Sequence, residues 1–243
     1  METKGRATGT AMLAPAASVA GGVLGLVAVA AVAHLSPLGW GAGVAYLLAS
    51  NLLLARGLRS SGASVFGWAN AVTATRSTLV ALVTALVATG LTGPVPTPLL
   101  VAITAPALAL DAVDGWVARR TGTATVLGAR FDMEVDAFLL LALSLHVAQD
   151  LGWWVLAIGA LRYLFAVAGW VWPWMNATLP PRYWRKVVTA VAGIALLVAA
   201  SGVLPAAIAA GCAAVALVLL LESFGRDVVW LVREHRRARV AVG

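Results

Sequence analysis

Charge is scarce in this chain, and negative charge is scarcest: 243 residues carry only 10 acidic side chains against 17 basic ones. Charged residues make up 11% of the sequence, where a soluble domain has about 25%. Cysteine occurs once, at Cys212 inside an apolar run, which excludes an internal disulfide and a thiolate metal cluster. His146 lies in an apolar stretch with no second histidine at ligand spacing, so a packed or pore-lining role fits it better than metal ligation. What fills the chain instead is apolar: 61% of residues, with a mean hydropathy of +0.93. These proportions exclude an ordinary soluble domain and specify an all-α, polytopic membrane helix bundle.

A membrane-crossing helix needs about 20 apolar residues. Eight such runs are predicted, at 12–34, 38–55, 76–93, 97–117, 130–149, 152–172, 187–203 and 205–224. Ser36-Pro37, Gly93-Pro94, Gly152, Pro180-Pro181 and Gly202 to Pro205 punctuate them, as expected of loops between antiparallel helices. The apolar run of the first span is longer than that of a secretory leader, so a retained helix is expected there. Residues 57–75, with Val65, Phe66 and Trp68 among polar neighbours, suit an interfacial helix or a plain loop.

The net charge of +7 would suggest nucleic acid in a soluble protein, but its distribution points elsewhere. Lys4 and Arg6 precede the first span; Arg56, Arg59 and Arg76 fall between the second and third. Arg119, Arg120 and Arg130 follow the fourth; Arg182, Arg185 and Lys186 follow the sixth; Arg226, Arg233, Arg236, Arg237 and Arg239 follow the eighth. The intervening loops carry no Lys or Arg. By the positive-inside rule both termini are cytoplasmic, and no nucleic-acid partner is expected. Tryptophans 153, 154, 170, 172, 174 and 184 suit interfacial belts.

Five of the acidic residues fall between positions 111 and 136, at the ends of two predicted spans. A carboxylate at the bilayer centre costs about 2.5–3.5 kcal/mol on insertion scales, and neighbouring carboxylates repel, so positive charge must compensate. Asp111 and Asp114 share one helix face by their spacing of three, and Asp132 and Asp136 share one by their spacing of four. A short connection makes the two helices antiparallel neighbours, so all four carboxylates can converge. Hard oxygen ligands suit Mg²⁺, Mn²⁺ or Ca²⁺. Ion pairs with Arg119, Arg120 and Arg130 are the alternative.

Residues 111–136 read D-x-x-D-G-x-x-A-R, eight residues, then G-x-x-x-D-x-x-x-D. This string resembles the signature of the CDP-alcohol phosphotransferase family at Asp111, Asp114, Gly115, Ala118, Arg119, Gly128, Asp132 and Asp136. Asn70, Thr73 and Arg76 resemble the start of that family's first core helix, and Arg162 lies where its fourth core helix often carries an arginine. Trp184-Arg185-Lys186-Val-Val-Thr189 is similar to a G-K-x-K-T segment of some members, with Arg185 for the glycine and Val188 for the second lysine. That departure counts against the glycerophosphate-using branch.

The resemblance implies a six-helix catalytic core over 61–225, preceded by two extra transmembrane helices in 1–60 and followed by a basic tail, 226–243. It implies Mg²⁺ or Mn²⁺, two per site, on Asp111, Asp114, Asp132 and Asp136, with Asp136 also the general base. CDP would be held by Asp111, Asp114, Gly115, Ala118, Arg119 and Gly128, with Asn70 and Thr73. Arg162, Arg182, Arg185 and Lys186 are the candidate acceptor residues, although Arg162 could instead pair with Glu134. The implied reaction moves a phosphatidyl group from CDP-diacylglycerol to a small polar alcohol or phosphorylated polyol, releasing CMP, in a homodimer. A CDP-choline or CDP-ethanolamine donor with diacylglycerol as acceptor is an alternative. An ion-binding transporter, from another class, would place its charges near the midplane on broken helices.

Overall fold

The computed structural model describes residues 3–61, 68–121, 126–180 and 182–240, with side chains described over 18–56, 74–111, 131–180, 182–238 and 240. Among the described residues there are eight α-helices and no strands: α1 (Thr3–Ala33), α2 (Pro37–Ser61), α3 (Trp68–Gly90), α4 (Thr97–Thr121), α5 (Val126–Leu151), α6 (Leu156–Val171), α7 (Tyr183–Ala200) and α8 (Ala206–Val240). Each expected span corresponds to one helix. Four stretches are long and apolar enough to cross a bilayer, at Pro37–Arg56, Trp153–Val171, Tyr183–Ala200 and Ala206–Ala238. Shorter apolar helical stretches occur at Ser18–Ala33, Ala74–Gly90 and Thr97–Asp111.

The expected boundaries shift in two places. Among the described residues of 57–75 there is no separate interfacial helix: α2 continues to Ser61 and α3 already includes Trp68, while 62–67 lie outside the described residues. Arg76 therefore belongs to no loop: it lies two turns inside α3, and none of it is exposed. The basic tail is likewise helical, being the end of α8 as far as Val240.

The chain forms two compact units, Met1–Ala142 and Leu143–Gly243. In the first, α3 is central and packs against α1, α2 and α4. Every residue from Val80 to Thr89 is buried, the pattern of a helix enclosed on all sides. Small residues bring α2 close to it. A Cβ on Gly39 would lie 2.1 Å from Thr89 Oγ1 and 2.6 Å from the Ala85 carbonyl oxygen, and one on Gly43 would lie 2.9 Å from the Ala85 Cβ. This is the small-xxx-small packing that lets membrane helices touch backbone to backbone. Thr89 spends its hydroxyl on its own helix, donating to the Ala85 carbonyl at 2.8 Å, and accepts the Ser36 backbone N–H at 3.2 Å.

In the second unit α8 packs against α7 and α6. Its buried positions, Ala209, Ala213, Ala216, Leu220, Ser223, Asp227 and Leu231, recur every three or four residues and form one stripe. Phe165 of α6 meets Phe224 of α8 with ring centroids 5.6 Å apart. Leu164, Val167, Trp170, Val215, Val218 and Leu221 are exposed, as side chains facing lipid should be. Gly152 turns the chain out of α5 at φ 101°, a conformation glycine adopts without steric cost.

The close approach of α2 to α3 yields a contrast between neighbouring glycines. Gly39→Val forces atoms into the Thr89 side chain and the Ala85 carbonyl oxygen and is expected to destabilise the first unit by about 1–3 kcal/mol. Gly41→Val, where nothing lies within 4 Å of an added Cβ, is expected to leave thermal unfolding in detergent near that of the parent.

Candidate functional site

Two charged centres are built into the helices, one in each unit. The first draws on three helices: Arg76 from α3, Asp111 from α4, and Asp132 with Asp136 from α5. The spacing of four puts Asp132 and Asp136 one above the other on α5. Phe131, Val135, Ala137, Leu139 and Leu140 beside them are buried, and Tyr46 of α2 meets Phe138 with ring centroids 4.5 Å apart. Asp111 lies five residues after Pro106, a proline tolerated inside a membrane helix where its neighbours re-satisfy the freed carbonyl.

One carboxylate oxygen from each of Asp111, Asp132 and Asp136 lies within 4.8 Å of the others, close enough to share one cation. The three side chains are 42%, 26% and 22% exposed, so the cluster opens on one side while resting on the buried arginine. Arg76 Nη1 donates to Asp111 Oδ1 at 3.1 Å and to Asp132 Oδ1, and its Nη2 pairs with Asp136 Oδ1. One guanidinium against three carboxylates leaves a surplus of negative charge among the described residues. The donor set is all oxygen, anionic and convergent, which fits a hard divalent cation.

The side chains of Asp114, Gly115, Ala118, Arg119 and Gly128, and those of Asn70 and Thr73, lie outside the described residues, as do Arg120 and Arg130. The first five positions fall within the helical stretches of α4 and α5, and Asn70 and Thr73 within α3. Three of the four expected aspartates are thus brought together. Arg76 was not among the expected site residues. Its signal was its place at the head of an apolar run, three residues after Thr73 and six after Asn70, on the helix face that those positions define.

The second centre inverts the first. Asp227 of α8, its side chain 6% exposed, accepts from Arg185 Nη1 at 3.4 Å and lies 3.7 Å from Arg182 Nη1. Arg185 also donates to the Pro180 carbonyl oxygen. Beside them Trp184 Nε1 donates to Glu222 Oε2 at 3.0 Å, and Arg226 pairs with the same Glu222. Arg182, Trp184, Arg185, Arg226 and Asp227, with Trp230 and Arg233, line an open cleft of about 510 Å³. Arg182 and Arg185, expected as acceptor residues, are therefore also the counter-ions of a buried acid. Lys186 is exposed, and Arg162 is half-buried on α6.

Fold and site together define a polytopic helical membrane protein with a carboxylate cluster suited to a cation. The model of the CDP-alcohol phosphatidyltransferase family matches residues 66–222, nearly two thirds of the sequence, and the chain belongs to that family. Membership carries the reaction class, transfer from a CDP-alcohol to an alcohol acceptor in phospholipid biosynthesis. No curated protein and no solved structure matches the chain.

The second centre makes its own prediction. Asp227→Asn strands two partly buried arginines and is expected to lower stability by about 3 kcal/mol, the low end for a broken buried pair because both arginines keep some water contact. Glu234→Gln, which removes only the exposed partner of Arg237 at 3.9 Å, is expected to change it by less than about 0.5 kcal/mol. Thermal unfolding of the two variants in one detergent compares them directly.

Proposed function

We propose that the chain transfers a phosphatidyl group from CDP-diacylglycerol to a small polar alcohol or phosphorylated polyol, releasing CMP. The observation that supports this most is the convergence of Asp111, Asp132 and Asp136, all signature positions, around a single positive group. In this reading these three and Asp114 hold Mg²⁺ or Mn²⁺, two per site. Cations bound there would neutralise the donor pyrophosphate and stabilise charge on the departing CMP.

The chain's own groups supply the rest. Asp136 accepts the proton of the acceptor hydroxyl. The freed oxygen attacks the phosphorus that carries the diacylglycerol, and the bond from that phosphorus to CMP breaks. A carboxylate suits this task when it lies within hydrogen-bond reach of the hydroxyl. Gly115 and Ala118 are small where the nucleotide approaches the backbone, and Arg119 offers a planar fork of donors to phosphate. Asp111, Asp114, Gly128, Asn70 and Thr73 complete the CDP site in this proposal.

Arg162, Arg182, Arg185 and Lys186 are proposed for the acceptor. Of these Lys186 is the most readily available, because among the described residues it forms no ion pair, whereas Arg182 and Arg185 face Asp227. The catalytic core is taken as 61–225 and the protein as a homodimer. The basic loops support a cytoplasmic site and cytoplasmic termini by the positive-inside rule.

Purified protein incubated with CDP-diacylglycerol, Mn²⁺ or Mg²⁺ and a panel of alcohols and phosphorylated polyols is expected to release CMP with one acceptor class. Chelation with EDTA is expected to stop the release. Asp136→Asn is expected to reduce turnover at least about 100-fold, the scale of lost general-base catalysis, with unfolding temperature retained. Release of no CMP from any CDP donor, or near-normal turnover by Asp136→Asn, would count against the proposal.

A further inference from the structure

We propose that Arg76 is a tethered counter-cation: it holds the carboxylate cluster together when no metal is bound, and a divalent cation must displace it from those oxygens to bind. The inference rests on the reading of the cluster as a metal site and concerns what sets that site's affinity. The two Nη atoms of Arg76 engage one oxygen on each of Asp111, Asp132 and Asp136. A cation shared by the three would draw on oxygens of the same three carboxylates, one from each lying within 4.8 Å of the others. The guanidinium and the metal therefore compete for one position.

Three properties of Arg76 fit this role. It is fully buried, so its charge cannot be offset by bulk water. Arginine does not deprotonate in proteins, so the competitor is permanently charged. It is anchored on α3, buried along most of its length, so the head can swing but cannot leave. Without Arg76, the carboxylates would face one another in a medium that screens them poorly, and the metal-free state would be strained. With it, that state is stable, and the metal binds more weakly than the bare carboxylates would allow.

Full-length protein in detergent provides the test, through Mn²⁺ binding, read as the loss of the free-ion electron paramagnetic resonance signal, and thermal unfolding in EDTA. Arg76→Gln is expected to bind Mn²⁺ at least about tenfold more tightly than wild type, equivalent to about 1.4 kcal/mol. It is expected to unfold at a lower temperature in EDTA and to gain more from saturating Mn²⁺ than wild type does. Arg76→Lys, which keeps a charge but loses the fork, is expected to lie between the two; if Arg76→Gln does not fold, the lysine variant alone decides. A residue with only a packing role would lower stability without tightening Mn²⁺ binding. Wild-type binding with no tightening in either variant overturns this inference and leaves the metal reading standing. Absence of Mn²⁺ binding in wild type and variants overturns both.

Discussion

A permanently charged side chain buried in an apolar helix has to be neutralised where it stands, and the first unit of this protein is arranged around that requirement. Arg76 lies two turns into the most enclosed helix of its unit, and its charge is met by carboxylates from two other helices. At an effective dielectric constant near 20, two unit charges 4 Å apart interact by about 4 kcal/mol. An attraction of that order fixes the register of α4 and α5 against α3 more sharply than contacts between Ala, Val and Leu. Those apolar contacts resemble what lipid offers and carry little preference of their own.

The second unit applies the same rule with the signs exchanged. There the buried group is the acid, Asp227, and the arginines come from the start of α7 and the residue before it. Away from both centres, close helix packing is done by small residues. Gly39 and Gly43 let α2 reach α3, and Ala209, Ala213 and Ala216 form the buried stripe of α8. Such side chains lose little conformational freedom on burial, so close packing costs little entropy and leaves the few ion pairs to decide specificity.

Helix number and approximate position were legible because a run of about 20 apolar residues has few other readings in a chain so poor in charge. The convergence of Asp111, Asp132 and Asp136 was legible from spacing, since residues three or four apart share a helix face. The part played by Arg76 was not. Arg119, Arg120 and Arg130, adjacent in sequence, were the natural partners and their side chains lie outside the described residues, whereas Arg76, the partner among the described residues, lies on a different helix 35 positions upstream of Asp111. Linear proximity carries no information about which distant helix packs alongside. Arg76 was hidden for another reason too: a charged residue at the edge of an apolar run is indistinguishable from a loop residue until the helix is known to reach back as far as Trp68. Asp227 was hidden among basic residues, where an isolated acid looks like part of a solvated tail.

The length of α8 has a geometric effect of its own. Its 35 residues rise about 1.5 Å each, giving a rod of roughly 50 Å against a hydrocarbon layer of about 30 Å. The arginines at 226, 233, 236 and 237 are carried on the same rod as the apolar stripe from Ala209 to Leu231, so their angular phase is locked to it. Each residue inserted within the stripe would rotate everything beyond it by about 100°, whereas residues added after Val240 would rotate nothing. In this helix the phase of the basic residues is constrained, and only the length of its far end is free to drift.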